Sequence, residues 1–235
     1  MVNRSSAPIL ITGVGKRIGF ALCKHFLQQG RDVIGTYRSH YDALDELEGA
    51  RLIRADFTIQ ADIDHLVEVI KREYPQLRAI IHNASDWLAE SEEIPAAETF
   101  QRMMQIHAAV PYQLNLALKD LLNGRAGDII HLTDYVAEKG SRKHIAYAAS
   151  KAALANMTLS FSALLAPRVK VNAIAPSLIM FNEDDSAEYR QKALEKSLMK
   201  VAPGEQEVIE AVVYLLKSHY ITGRTLSLDG GRHLN

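Results

Sequence analysis

Short apolar runs alternate with amphipathic helical patterns along the whole chain, and that alternation leaves few folds open. The strand-like runs lie near residues 8–12, 32–36, 51–54, 78–82, 127–132, 168–173 and 225–228, each short and built around apolar residues. Strands buried on both faces and separated by helices predict an α/β protein built on a doubly wound, seven-stranded parallel sheet of the Rossmann type. Right-handed crossovers would gather the C-terminal strand ends at one edge, where a crevice opens. No repeat, low-complexity tract or Pro/Gly-rich linker interrupts the 235 residues, so a single domain over 1–235 is expected.

Composition narrows the function classes. A net charge of −1 gives no basic footprint for nucleic acid. No apolar run approaches the roughly 20 residues needed to span a bilayer, and Met1 to Ser6 carries no signal-peptide core, which together predict a cytoplasmic protein without a membrane partner. The single Cys23 precludes an internal disulfide and fits a reducing compartment; its position in the first helix favours burial. Nine histidines are present, yet no His/Cys cluster has ligand spacing, so no metal is expected.

Chemistry concentrates in the segments that follow the strands. The first strand runs into Thr12-Gly13-Val14-Gly15-Lys16-Arg17-Ile18-Gly19 and then an amphipathic helix. Glycines there permit positive dihedrals and close backbone approach to a pyrophosphate, whose charge the helix N-terminus favours. The strict Gly-x-Gly-x-x-Gly pattern fails, because Ile18 stands where the third glycine belongs. Further on, Tyr147 and Lys151 are four residues apart on a helical pattern that follows a strand ending near Asp134. Positions four apart share a helix face, so the Lys151 ammonium is expected beneath the Tyr147 ring edge, favouring its phenolate and making Tyr147 a proton donor near neutral pH. An isolated pair of this kind is more often a solvated helix face.

Five matches in order, Thr12 to Gly19, His82-Asn83-Ala84-Ser85, Tyr147 to Lys151, Val171-Asn172-Ala173-Ile174-Ala175-Pro176, and Ile221-Thr222-Gly223 with Asp229-Gly230-Gly231, show that the chain resembles the short-chain dehydrogenase/reductase family over nearly its whole length. Within that family it is most similar to the pteridine reductases, above all bacterial members that reduce dihydromonapterin. Three substitutions carry this. Arg17 replaces the middle glycine of the loop, Asp134 replaces a serine that usually bonds a substrate carbonyl, and Trp87 falls where pteridine reductases stack a phenylalanine on the pterin. Each has a plainer reading: an exposed cation, a turn carboxylate, a core or interface aromatic.

The resemblance implies that Tyr147, Lys151 and Asp134 are catalytic. It implies cofactor contacts from Gly13, Lys16, Arg17, Ile18, Arg38, Ser39, Asp56, Asn83, Ala84, Tyr147, Lys151 and Pro176, and substrate contacts from Arg17, Ser85, Trp87, Asp134 and Tyr147. Asp56 is equally readable as a helix cap, and Lys16 as a solvated lysine. An ionised Asp134 would oppose an alkoxide forming on a ketone and favour a C=N group that is protonated as hydride arrives. The second strand ends in Tyr37-Arg38-Ser39 with no acid for a ribose 2′-hydroxyl, so the expected cofactor is NADPH. The expected reaction is reduction of 7,8-dihydromonapterin to tetrahydromonapterin, with dihydrofolate a weaker substrate. The competing readings are a ketone or acyl-carrier reductase of the same family and a silent NADPH-binding sensor.

Several finer expectations accompany these. Segment 177–200, with a helical pattern from Ala187 to Lys200, should cover the substrate. A long helix from Ala96 to Leu122 should contribute both core and, by family habit, a homotetramer interface; the tail Arg232 to Asn235 is expected to reach a neighbour's site as in some pteridine reductases. His107 replaces a helical asparagine that in the family maintains a water chain to the active-site lysine, and an imidazole there can hold water too or be a core histidine bonded to backbone. Ser177 replaces a usual glycine after Ala175-Pro176.

Overall fold

Ile9, Leu10 and Ile11, all buried, point alternately to the two faces of the first strand, and the two hydrophobic cores of the protein form on those faces. The computed structural model describes residues 7–91, 93–122 and 127–235. The amino-terminal segment read above for an export signal lies outside them. Strands β1 (Ile9–Ile11), β2 (Val33–Tyr37), β3 (Arg51–Arg54), β4 (Ala79–His82), β5 (Gly127–Leu132), β6 (Val169–Pro176) and β7 (Thr225–Leu228) form one sheet in the order β3-β2-β1-β4-β5-β6-β7. Every pairing is parallel, with Ile11 opposite both Gly35 and Ile81 and His82 opposite His131. The order reverses after β1, which sets the crevice beside the ends of β1 and β4.

On one face, Leu10, Ile80, Ile129 and Val171 pack under α2 (Gln60–Glu73), α4 (Val110–Leu118) and α6 (Ile145–Leu165) through residues such as Leu66, Ile70, Leu114 and Phe161, and α3 (Ala96–Met104), with Met103 buried, lies against α6. On the other, Ile11, Ile81 and Ile130 meet α1 (Arg17–Gln28) and α8 (Glu205–Lys217) through Leu22, Phe26, Val208 and Val212. Burying each of these side chains contributes about 2 kcal/mol, which is why the short strands hold without amphipathic alternation. Cys23 lies in this second core, and burial pushes its thiol up to about 12, leaving it protonated and inert. The short helices α5 (Val136–Lys139) and α7 (Ala187–Leu194) sit beside the crevice.

The long helix read from Ala96 to Leu122 is not uniform. Its hydrogen bonding widens to a π-turn over Gln105–Ala109 and tightens to 3₁₀ over Lys119–Leu122. Pro111 explains the widening: it has no N–H for the carbonyl of His107 four residues earlier, and its ring crowds that carbonyl. The helical pattern read to Lys200 stops at Leu194, after which turns run to Lys200, itself at φ 52°. The carboxyl-terminal residues fold back on their own chain, with Arg232 Nη1 donating to Ser177 Oγ at 2.8 Å and Lys139 Nζ to the Asn235 carbonyl at 3.2 Å. In this chain the tail is therefore engaged locally. No helix among the described residues is long and apolar enough to cross a membrane.

Candidate active site

The turn after β1 is fixed by bonds to the neighbouring strand ends. Thr12 Oγ1 accepts the N–H groups of Asn83 and Ala84, both at 3.0 Å, and Asn83 Nδ2 donates to the carbonyls of Thr12 at 3.0 Å and Gly13 at 2.9 Å. Gly13 has φ 74°, and a Cβ there would stand 2.8 Å from Ala84 Cα; one on Gly19 would stand 2.0 Å from the Gly13 oxygen. Neither position accepts a side chain. Arg17 holds φ 54° without being glycine, a conformation costing on the order of 1 kcal/mol that marks a constrained site. Helix α1 starts there with no capping side chain and no acid in its first turn, so its free N–H groups suit the phosphates of a dinucleotide.

A cleft of about 360 Å³ opens at these strand ends, lined by Gly13, Lys16, Arg17, Ile18, Arg38, Asn83, Ala84, Ser85, Asp134, Tyr147, Lys151 and Pro176 among others. These are most of the residues singled out from sequence. Ser39, Asp56 and Trp87 are not among its lining residues. Asp56 Oδ1 accepts from the Thr58 N–H at 2.9 Å and its hydroxyl at 2.7 Å, closing a local turn ahead of α2; it does not cap that helix, whose N-cap residue is Ile59. Burial opposes its charge, but the Thr58 bonds and then Arg38 and Arg102 hold its carboxyl below the usual range. Trp87 is 57% exposed, its ring 4.4 Å from that of His144 at the start of α6. Lysine 16 lies over Tyr41, 5.7 Å from the ring centroid.

The catalytic group differs from expectation at one point. Tyr147 Oη donates to Asp134 Oδ2 at 2.9 Å, while Asp134 Oδ1 accepts the Val136 N–H at 2.9 Å. Lys151 Nζ donates instead to the Leu132 carbonyl at 2.8 Å and stands 5.7 Å from the Tyr147 ring centroid. Burial first, then the Asp134 charge and its hydrogen bond, hold the Tyr147 hydroxyl well above the usual phenol range. The expectation is that Lys151 favours the phenolate and so makes Tyr147 a proton donor; here burial, and then the Asp134 carboxylate, oppose that charge, and Tyr147 keeps its proton as a neutral hydroxyl. Burial brings Lys151 down to about 8, against the opposing pull of Asp134.

His107 is 1% exposed, and both its nitrogens are taken: Nε2 by Ser85 Oγ at 2.8 Å and the Asp86 N–H at 3.4 Å, Nδ1 by Ser150 Oγ at 2.8 Å. Both ring nitrogens of His107 are thus bonded within the protein, mainly to the side chains of Ser85 and Ser150. Two participants, Asp86 and Arg102, went unread in the sequence, as did the bonds from the 177–200 segment to Arg17. Asp86 Oδ2 accepts from Arg38 Nη1 at 3.1 Å and from Arg102 Nε at 3.0 Å, and the 178–182 segment reaches Arg17, whose Nη1 donates to Asn182 Oδ1 and Nη2 to the Met180 carbonyl at 3.4 Å. Nothing in their spacing could have found them, because the pairs join separate elements. Among the described residues no His/Cys/Asp/Glu cluster could hold a metal.

A glycine turn against an uncapped helix, with a tyrosine and lysine four apart beside it, defines a nucleotide-dependent reductase. Residues 13–233 match the family model described as enoyl-(acyl carrier protein) reductase, and the chain belongs to the short-chain dehydrogenase/reductase family. Along its whole length it is 59% identical to the dihydromonapterin reductase of Enterobacter sp. (strain 638) and 60% identical to that of Citrobacter koseri, each also covered completely. Among solved structures it is similar to FolM alternative dihydrofolate reductase 1 from Brucella suis in complex with NADP, at 27% identity and a TM-score of 0.88, covering 99% of this chain and 97% of that one.

Proposed function

We propose that this protein reduces 7,8-dihydromonapterin to tetrahydromonapterin with NADPH, with dihydrofolate as a weaker substrate. The observation that carries the reading is the hydrogen bond from Tyr147 Oη to Asp134 Oδ2, supported by the full-length likeness to dihydromonapterin reductases. A ketone reductase needs its donors aimed at an oxygen that becomes negative. Here the tyrosine proton is committed to a carboxylate, and that negative charge favours a ring nitrogen becoming positive. NADPH, when bound, supplies the hydride that adds to C6 of the pterin. The proton that completes the N5=C6 reduction ends on N5, so a C–H and an N–H replace the double bond.

The chain's own residues take separate parts. Gly13, Lys16, Arg17, Ile18 and the start of α1 receive the pyrophosphate; Asn83, Ala84 and Pro176 flank the nicotinamide; Lys151 holds its ribose. Arg38 and Ser39 take the 2′-phosphate, with Asp56 acting at one remove through its charge near Arg38. Tyr147 keeps Asp134 turned into the cleft and hands on its proton only as another arrives, because a tyrosinate beside the carboxylate is unfavourable. Ser85, Arg17 and Trp87 contact the pterin, and segment 177–200 closes over it. The working form is a cytoplasmic homotetramer, as the family resemblance implies; the exposed Tyr112 on α4 and Leu159 and Leu164 on α6 support a subunit contact through those helices.

Mixing the protein with NADPH and 7,8-dihydromonapterin and following the loss of NADPH absorbance tests the reading. Turnover several-fold faster than with NADH is expected; reduction of ketones or acyl-carrier thioesters without reduction of any dihydropterin would overturn it.

A further inference from the structure

The hydrogen bonds around His107 fix which of its two ring nitrogens carries the proton. Ser150 Oγ donates to the Tyr147 carbonyl at 2.7 Å, and a carbonyl can only accept. The single hydroxyl hydrogen of Ser150 is thereby used. Its contact with His107 Nδ1 at 2.8 Å must then run the other way, with Nδ1–H donating. The second ring nitrogen gives the same answer independently. The Asp86 backbone N–H faces Nε2 at 3.4 Å and can only donate, so Nε2 carries a lone pair. Ser85 Oγ, 2.8 Å from that lone pair, gives its hydrogen to it, since two lone pairs at that distance would repel; its other partners are the Asp86 carbonyl, farther at 3.4 Å, and the Tyr147 hydroxyl.

We propose that His107 is a positioning residue that locks Ser85 as an acceptor-only wall of the cleft, so that the site selects a ligand edge presenting N–H groups over one presenting a carbonyl. This rests on the functional reading above and deepens it: the aminopyrimidine edge of a dihydropterin is rich in N–H donors, and the nearby Asp134 carboxylate is an acceptor as well. The π-turn makes the arrangement possible, since it carries His107 inward between the Ser85 loop and α6. Burial, and then the Lys151 charge, hold the imidazole down to about 2, so the ring stays neutral, and its partners Ser150 and the Asp86 N–H set the tautomer.

Two measurements test it. Long-range ¹H–¹⁵N spectra of the imidazoles should show His107 neutral with hydrogen on Nδ1; hydrogen on Nε2 overturns the proposal and needs no variant to be made. In steady-state assays His107→Phe should raise KM for dihydromonapterin roughly threefold to tenfold, the worth of one uncharged hydrogen bond, with kcat little changed. His107→Asn, whose amide can give an N–H to Ser150 and an oxygen to Ser85, should recover most of the loss. In a Ser85→Ala background His107→Phe should add nothing further, whereas additive effects would assign the histidine a packing role and overturn the proposal. A wild-type protein inactive on every dihydropterin would sink the functional reading while the tautomer result stood on its own.

Discussion

In the proposed function, Asp134 is the residue on which substrate chemistry turns. Replacing it by serine removes the negative charge and restores a donor, so Asp134→Ser should lower kcat for dihydromonapterin by about 10²-fold or more while leaving NADPH affinity, read by fluorescence titration, within about twofold. A ketone tested alongside should gain from the change or be indifferent. The place of this carboxylate in the cleft beside Tyr147 was legible in the sequence, because its position thirteen residues before Tyr147 could be read against the serine usual there. Its effect on Tyr147 was not. Helical spacing places Lys151 near the tyrosine, but spacing cannot weigh an ammonium drawn to the Leu132 carbonyl against a carboxylate 2.9 Å from the hydroxyl. Asp86 was equally silent, since its partners Arg38 and Arg102 come from other elements.

At the scale of elements, the strands were read almost to the residue, because runs buried on both faces leave an unambiguous pattern in β1, β4 and β5. The helices were harder. Apolar periodicity across 96–122 carries no mark of where hydrogen bonding widens, although Pro111 in retrospect is the cause. Restoring an N–H there gives a prediction: Pro111→Ala should let an ordinary α-helix run through the π-turn, turning His107 away from Ser85. Thermal stability should change little or rise, and kcat/KM for the dihydropterin should fall several-fold. A crystal structure of the variant with the π-turn intact would contradict this account of its origin.

Across the whole molecule, polar groups buried behind the active site set a limit on acid tolerance. His82 Nε2 meets Asn115 Oδ1 at 2.7 Å, Asn115 Nδ2 meets His131 Nε2 at 3.1 Å, and His131 Nδ1 meets Thr158 Oγ1 at 2.8 Å, tying the sheet to α4 and α6. Burial brings His82 down to about 4 and His131 well below its usual value, and His107 is lower still than His82. These rings stay neutral in the folded state, while in the unfolded chain they take up protons below about pH 6.5. Stability should therefore fall as pH drops from about 6.5 towards 4.5, by up to about 1.4 kcal/mol per pH unit for each histidine. Urea midpoints across that interval check it, and His82→Gln should make the slope shallower by roughly one proton. The three-dimensional placement of these histidines, on strand ends and a π-turn rather than in any motif, hid the effect from the sequence.

Trp87 is the chain's single tryptophan and stands exposed on the loop that follows Ser85. All indole emission from the protein therefore comes from one spot beside the catalytic cleft, without labelling. Nucleotide binding should quench it by energy transfer to the reduced nicotinamide, and a stacked pterin should quench it again. Stopped-flow traces would then time the two arrivals separately, and an indole signal unmoved by saturating dihydropterin would show that this ring never touches the substrate.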